Sequence, residues 1–224
     1  MKKIDNINSL FPDERNLEKT NVRKCHSTMF RILKYLDYLC RKNNLRYWIC
    51  GGTLIGAIVH KGWKPTSKDI DISLPKGDYE KLLGIVKENL LEGIELDVKD
   101  NTFFRLGDKK SKYTKGYFKG EGIGVDVYSI DIRKRLFWIY WKHNKMDGGF
   151  ERKFRKNVLL PLRNYKFENH YFYGPNKSIS YLRQFDLTRG RLEEYLANLE
   201  MNKMLRRKYE NNEEIKEVDF MISE

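Results

Sequence analysis

The sequence predicts an α+β domain, a mixed β-sheet flanked by helices, and three stretches carry the prediction. Residues 22–40 place apolar side chains at helical spacing. Residues 46–60 run from an aromatic-rich segment through a Gly-Gly pair into a string of helix formers. Residues 69–74 alternate carboxylates with aliphatic side chains at period two.

In the first stretch, Val22, Met29, Ile32, Leu33, Leu36, Leu39 and Cys40 make one apolar stripe, and Lys42-Asn43-Asn44 ends it, so an amphipathic helix is expected. Arg46–Cys50 reads as a strand, Gly51-Gly52 as a turn and Thr53–His60 as a helix. In Asp69–Leu74 the alternation puts Ile70, Ile72 and Leu74 on one strand face and both aspartates on the other. Pro75 and Gly77 close that strand. Asp78 is a candidate cap for a helix whose apolar side is Tyr79, Leu82, Leu83, Ile85, Val86 and Leu90. Shorter strands are expected at 94–98, 102–106, 112–118 and 124–130. Leu159–Arg163 and Phe167–Gly174 precede expected helices at 178–185 and 189–209, and a fraying tail is expected beyond 210.

The 224 residues suffice for one substantial domain, and a single domain over 1–224 is expected. It would comprise an N-terminal helix at about 20–44, a core at about 45–135 and a basic, helical part at about 136–224. Aromatic residues make up 13% of the chain, too many for a disordered polyampholyte despite a mean hydropathy of −0.70. The net charge of +13 favours an anionic partner: nucleotide, nucleic acid or acidic membrane surface. No apolar run approaches the roughly 20 residues of a membrane span, and Met1-Lys2-Lys3 is followed by no signal-like apolar region, so a cytosolic location is expected. Cys25, Cys40 and Cys50, odd in number and widely spaced, read as reduced thiols. None has zinc-ligand spacing with a histidine.

The chemistry concentrates between residues 51 and 71. Transfer of a phosphoryl group from a nucleoside diphosphate needs oxygen ligands that hold Mg²⁺ or Mn²⁺ against the bridging phosphates. Asp69 and Asp71 offer two on one strand face, and Asp126, in Gly124-Val125-Asp126-Val127-Tyr128, offers a third from a neighbouring strand. The Gly-Gly turn lets backbone amides approach phosphate oxygens. Taken alone, an Asp-x-Asp pair is a solvated strand face and a Gly-Gly pair a tight turn. The order strand, Gly-Gly, helix, Asp-x-Asp is much rarer than either.

Gly51-Gly52-Thr53-Leu54-Ile55-Gly56-Ala57, followed by His60-Lys61-Gly62-Trp63 and Asp69-Ile70-Asp71-Ile72, resembles the LicD family. The resemblance extends to Val125-Asp126-Val127 with Asp131, to Pro161-Leu162, to Phe167-Glu168, to Tyr173-Gly174-Pro175-Asn176 and to Tyr181-Leu182-Arg183. It implies a nucleotidyltransferase-type fold. It also implies transfer of phosphocholine or a polyol phosphate from a CDP-linked donor to a glycan or glycolipid hydroxyl, releasing CMP. Gly51, Gly52 and Thr53 would then bind donor phosphates, and Lys61, read from its own place beside the glycines, is a further phosphate-binding candidate. Asp69, Asp71 and Asp126 would hold Mg²⁺ or Mn²⁺, with Asp126 a ligand or the base that activates the acceptor. Thr66-Ser67-Lys68 and Val59 depart from the family's commonly acidic and basic residues there, and Lys68 either weakens cation binding or contacts a phosphate oxygen.

Several residues have two readings. His60 at a helix end is a structural donor or a ligand contact, and Lys61 a solvated lysine or a phosphate contact. Leu136–Trp141, among Arg133, Lys134, Arg135, Lys142 and Lys145, packs in the core or rests at a membrane interface. Arg152, Lys153, Arg155 and Lys156 form a solvated helical face or steer an anion. Two other functions fit the same residues: addition of a nucleoside monophosphate to RNA, protein or a small alcohol, and a non-catalytic binding module derived from a transferase. Nucleic acid is the less expected partner.

Overall fold

The computed structural model describes residues 4–64, 67–113, 120–135, 138–142, 151–185 and 220–222. In chain order the elements are α1 (Ile7–Leu10), a 3₁₀ turn (Arg15–Leu17), α2 (Asn21–Lys42), β1 (Trp48–Ile49), α3 (Gly51–Val59), β2 (Ile70–Pro75), α4 (Lys76–Glu88), β3 (Ile94–Asp100), β4 (Phe103–Tyr113), β5 (Gly122–Arg135), β6 (Trp138–Lys142), β7 (Glu151–Arg155), α5 (Lys156–Leu159), β8 (Arg163–Phe167), β9 (His170–Gly174), α6 (Ser178–Phe185) and β10 (Phe220–Ile222).

The main sheet runs β1-β2-β5-β4, with β3 and β10 both paired to β4 and β6 extending from the far end of β5 to β7. Among the described strands β2 and β5 form the one parallel pair and every other pairing is antiparallel, so the sheet is mixed as expected. One face is aliphatic. Ile70, Ile72, Leu74, Val125, Val127, Phe104 and Leu106 are buried there together with Ile32, Leu33 and Leu36 of α2 and Leu82 and Val86 of α4. Helix α2 begins where the Thr20 hydroxyl accepts from the Arg23 amide at 3.1 Å. It ends at Asn43, whose side-chain amide donates to Leu39 O, and Asn44 takes the left-handed conformation, φ 54°.

Five local expectations are corrected. Gly51 and Gly52 are the first residues of α3, with Cys50 at the N-cap, and no separate turn precedes the helix. Asp78 does not cap α4. Pro75 holds the N-cap position, and the Asp78 carboxylate accepts from both the backbone amide and Nε of Arg46. The separate strands expected at 102–106 and 112–118 are, through Tyr113, one strand, β4, whose pairing with β5 shifts register between Gly107 and Lys112. Arg152, Lys153 and Arg155 lie on strand β7, and only Lys156 opens a helix. The strand expected at 46–50 is shortened to Trp48–Ile49. The expected helix at 189–209, most of the tail and the packing of the Leu136–Trp141 side chains lie outside the described residues.

All three cysteines are buried free thiols. Among the described residues, no helix is long and apolar enough to cross a membrane.

Candidate active site

The polar face of the sheet is built by register. Asp71 on β2 pairs with Asp126 on β5, which pairs in turn with Arg105 on β4, so a transverse row reads Asp71, Asp126, Arg105. Asp69, two residues before Asp71, falls on the same face, as the alternation predicts. The three carboxylates each offer an oxygen within 4.8 Å of the other two. Asp126 is fully buried and the other two are half-buried.

Helix α3 starts against this face. Gly51 adopts φ +52°, and a Cβ there would stand 2.9 Å from Asp71 Oδ2, so any larger residue would be both strained and pressed against the carboxylate. The Thr53 hydroxyl accepts from the Asp71 amide at 2.9 Å, and the Cys50 amide donates to Asp71 O at 3.1 Å. Together these bonds fix the first turn of α3, whose leading N–H groups have no intrahelical acceptor, beside the carboxylates. Thr53 therefore meets the cluster through the backbone of β2.

Buried like charges set the electrostatics. Burial raises the pKa of Asp71 well above the usual carboxylate range, the Asp69 and Asp126 charges raise it further, and Arg105 and Lys64 oppose the rise. Burial likewise raises Asp69, against the pull of Arg105, Lys64 and Lys68. Burial pushes Asp126 up to about 7 although Arg105 pairs with it. Three hard oxygen donors that repel one another when ionised suit a divalent cation of the Mg²⁺ or Mn²⁺ type and would be relieved by it.

Residues 44–177 match the model of the LicD/FKTN/FKRP nucleotidyltransferase domain, a span that contains every residue of this row and the whole of α3. The chain belongs to this family. Over 145 residues it is 35% identical to a Haemophilus influenzae protein named lipopolysaccharide cholinephosphotransferase LicD, covering 60% of this chain and 55% of that one. Over 157 residues it is 30% identical to an uncharacterized protein of Rickettsia prowazekii, covering 70% of this chain and 53% of the relative. The chain thus spans about half the length of the curated relatives it matches. A looser likeness, TM-score 0.44 with 15% identity over 83% of this chain and 98% of the other, is found to a crystal structure of ANT(2″)-Ia in complex with adenylyl-2″-tobramycin.

Within this LicD domain the anticipated residues separate into two groups. Gly51, Gly52, Thr53, Asp69, Asp71 and Asp126 converge. Lys61 and His60 lie at the C-terminal end of α3, roughly 13 Å further along the helix axis. There Lys61 adopts φ +56° and its ammonium donates to Ile58 O at 3.0 Å, while the His60 amide donates to Gly56 O. Lys68 has an exposed side chain, and its carbonyl accepts from Tyr113 OH. Glu168, at φ +55°, accepts from the Trp63 amide at 3.4 Å and its own amide donates to Lys61 O at 2.6 Å, which ties the β8–β9 turn to the loop after α3.

Two residues of this site were not singled out from the sequence. Arg105, 1% exposed, donates to an Asp126 carboxylate oxygen through Nη1, to Gly122 O through Nε at 3.1 Å and to Tyr113 OH through Nη2 at 3.3 Å. The other Asp126 oxygen accepts from Tyr128 OH at 3.3 Å. The signal was a lone arginine between Phe104 and Leu106 in a strand with one apolar face, which needs an acidic partner across the sheet. The second is Lys64, whose side chain reaches the first turn of α3.

Proposed function

We propose that this chain transfers a phosphocholine- or polyol-phosphate-type group from a CDP-linked donor to a glycan hydroxyl, with release of CMP. The observation that carries the reading is the convergence of Asp69, Asp71 and Asp126 within 4.8 Å beside the first turn of α3. Membership of the LicD family and the similarity to a lipopolysaccharide cholinephosphotransferase support the same chemistry.

Asp69, Asp71 and Asp126 would hold Mg²⁺ or Mn²⁺, which when bound supplies charge neutralisation at the donor's bridging phosphates. The backbone amides of Gly51 and Gly52, at the positive end of α3, would bind phosphate oxygens. Thr53 would keep that turn in register with Asp71. Arg105 holds one oxygen of Asp126 and Tyr128 meets the other, so Asp126 serves better as an oriented ligand than as a mobile base. The +13 charge supports an anionic partner, and a glycolipid acceptor at a membrane surface would supply one.

The test is CMP release from a panel of CDP-alcohols with Mn²⁺, using wild type, Asp69→Asn and Asp71→Asn. The reading expects metal-dependent release with one donor and none in either variant. Pyrophosphate release from a nucleoside triphosphate in place of CMP would assign nucleotidyl addition instead, and wild-type turnover in either variant would refute the metal assignment.

A further inference from the structure

We propose that Lys64 is the cation that binds the donor's phosphates in this site, the role expected above of Lys61. The inference rests on the phosphotransferase reading and adds to it a residue that grips the diphosphate.

The argument starts from the surface of α3. Gly52 and Gly56 are one turn apart and share a helix face. At Gly56 the loop comes so close that an added Cβ would collide with Gly62 O and stand 3.1 Å from Lys64 N. This contact docks residues 62–64 on the helix. The Lys64 side chain then runs along the glycine face towards the helix start, with Cε 3.9 Å and Nζ 4.0 Å from the point where a Cβ on Gly52 would lie. The Ser67 hydroxyl stands 3.9 Å from the same point, and the Ser67 amide donates to Lys64 O at 3.0 Å, so Lys64 and Ser67 are tied together beside the first turn of α3. A Cβ on Gly56 would push this loop off the helix, whereas one on Gly52 would only touch Lys64 and Ser67.

The other lysines near the motif are placed differently. Lys61 is bonded to Ile58 O at the far end of α3, and Lys68 is exposed. Lys64 is half-buried, with its ammonium at the first turn of α3 and near enough for its charge to act on both Asp69 and Asp71. A diphosphate held by the metal on one side and by the leading amides of α3 on the other would bring its oxygens to this ammonium. A lysine ammonium is a compact point charge suited to bridging two phosphate groups.

An alternative role for Lys64, balancing the aspartates only, makes a different prediction. In both roles Lys64→Met leaves binding of Mn²⁺ alone as tight as in wild type or tighter, because a like charge is removed from beside the metal. The roles part on phosphate. Inorganic pyrophosphate titrated calorimetrically into Mn²⁺-saturated protein should bind Lys64→Met tenfold or more weakly than wild type, while Lys64→Arg retains most of the affinity and Lys68→Met is unchanged. Should Lys64→Met melt below the titration temperature, Lys64→Gln gives the same comparison. Equal pyrophosphate affinity in wild type and the neutral variant would overturn the role of Lys64 alone. Failure of wild type to bind pyrophosphate with Mn²⁺ would overturn the reading of the whole site and Lys64 with it.

Discussion

Two buried aspartate–arginine pairs sit on this sheet, and their difference separates structure from function. Asp108 is completely buried and satisfied by donors: Arg15 grips both oxygens, at 2.6 and 2.7 Å, and the Ser111 hydroxyl adds a third bond at 2.5 Å. Arg15 also holds Asp13 through Nε at 2.9 Å, so positive charge is shared between two carboxylates in a closed network. Asp126 is equally buried and has its own arginine, yet Asp69 and Asp71 stand within 4.8 Å, so Arg105 is shared among three carboxylates with Lys64 beside them, and burial together with the Asp69 charge pushes Asp126 up to about 7. The first pair ties the segment before α2 to β4. The second leaves an excess of negative charge facing the start of a helix, which costs stability unless a cation is present.

The comparison breaks most sharply on activity. Asp71→Asn should lower CMP release about a thousandfold or more, since the metal supplies several kcal/mol of charge stabilisation and each 1.36 kcal/mol is tenfold in rate. Its melting temperature should hold or rise, because one of three repelling charges is gone. A drop in both activity and melting temperature would make Asp71 structural, like Asp108.

Next comes stability. Arg15→Met strands a buried charge and should cost about 3–5 kcal/mol in denaturant unfolding, a loss that Mn²⁺ does not restore. Arg105→Met should also destabilise the metal-free protein, but saturating Mn²⁺ should recover part of the loss, because the cation replaces positive charge beside Asp126. Identical responses to Mn²⁺ would erase the distinction between the pairs.

Smaller and pH-dependent is the effect of the aspartates themselves. Asp69, Asp71 and Asp126 have folded-state pKa values raised above their unfolded ones. Between the unfolded value near 4 and the value of about 7 at Asp126 the folded protein holds more protons, so this contribution is present at low pH and lost as pH rises through the folded value. The melting temperature of the metal-free protein should therefore carry a component that falls from about pH 5 to pH 8 and is absent in the Asp69→Asn/Asp71→Asn/Asp126→Asn variant. Mn²⁺ should raise the melting temperature more at pH 8 than at pH 5. The smallest effect is expected far from either pair: Thr20→Ala removes the α2 cap and should cost about 1 kcal/mol with turnover unchanged.

Much of the arrangement was legible because it is local. Alternation placed Asp69 and Asp71 on one face, the run of helix formers from Thr53 located α3 to within two residues of its start, and the stripe from Val22 to Cys40 located α2 nearly to its ends. What could not be read depends on register and on loop paths. Arg105 meets Asp126 across 21 positions and Arg15 meets Asp108 across 93, and each contact is fixed only once strands and turns have paired. Asp78 looked like a cap because its partner, Arg46, comes 32 residues earlier. Lys64 was overlooked for Lys61 because the loop doubles back along α3 at Gly56, a path set by a close backbone approach and not by any local preference.

The most direct test of the central claim, that the three aspartates form one cation site, is a calorimetric titration of Mn²⁺ into wild type, Asp71→Asn and Asp126→Asn at pH 7.5. The account predicts saturable binding to wild type and a loss of affinity of at least tenfold in both variants while each remains folded. Undiminished Mn²⁺ binding in both variants would contradict it.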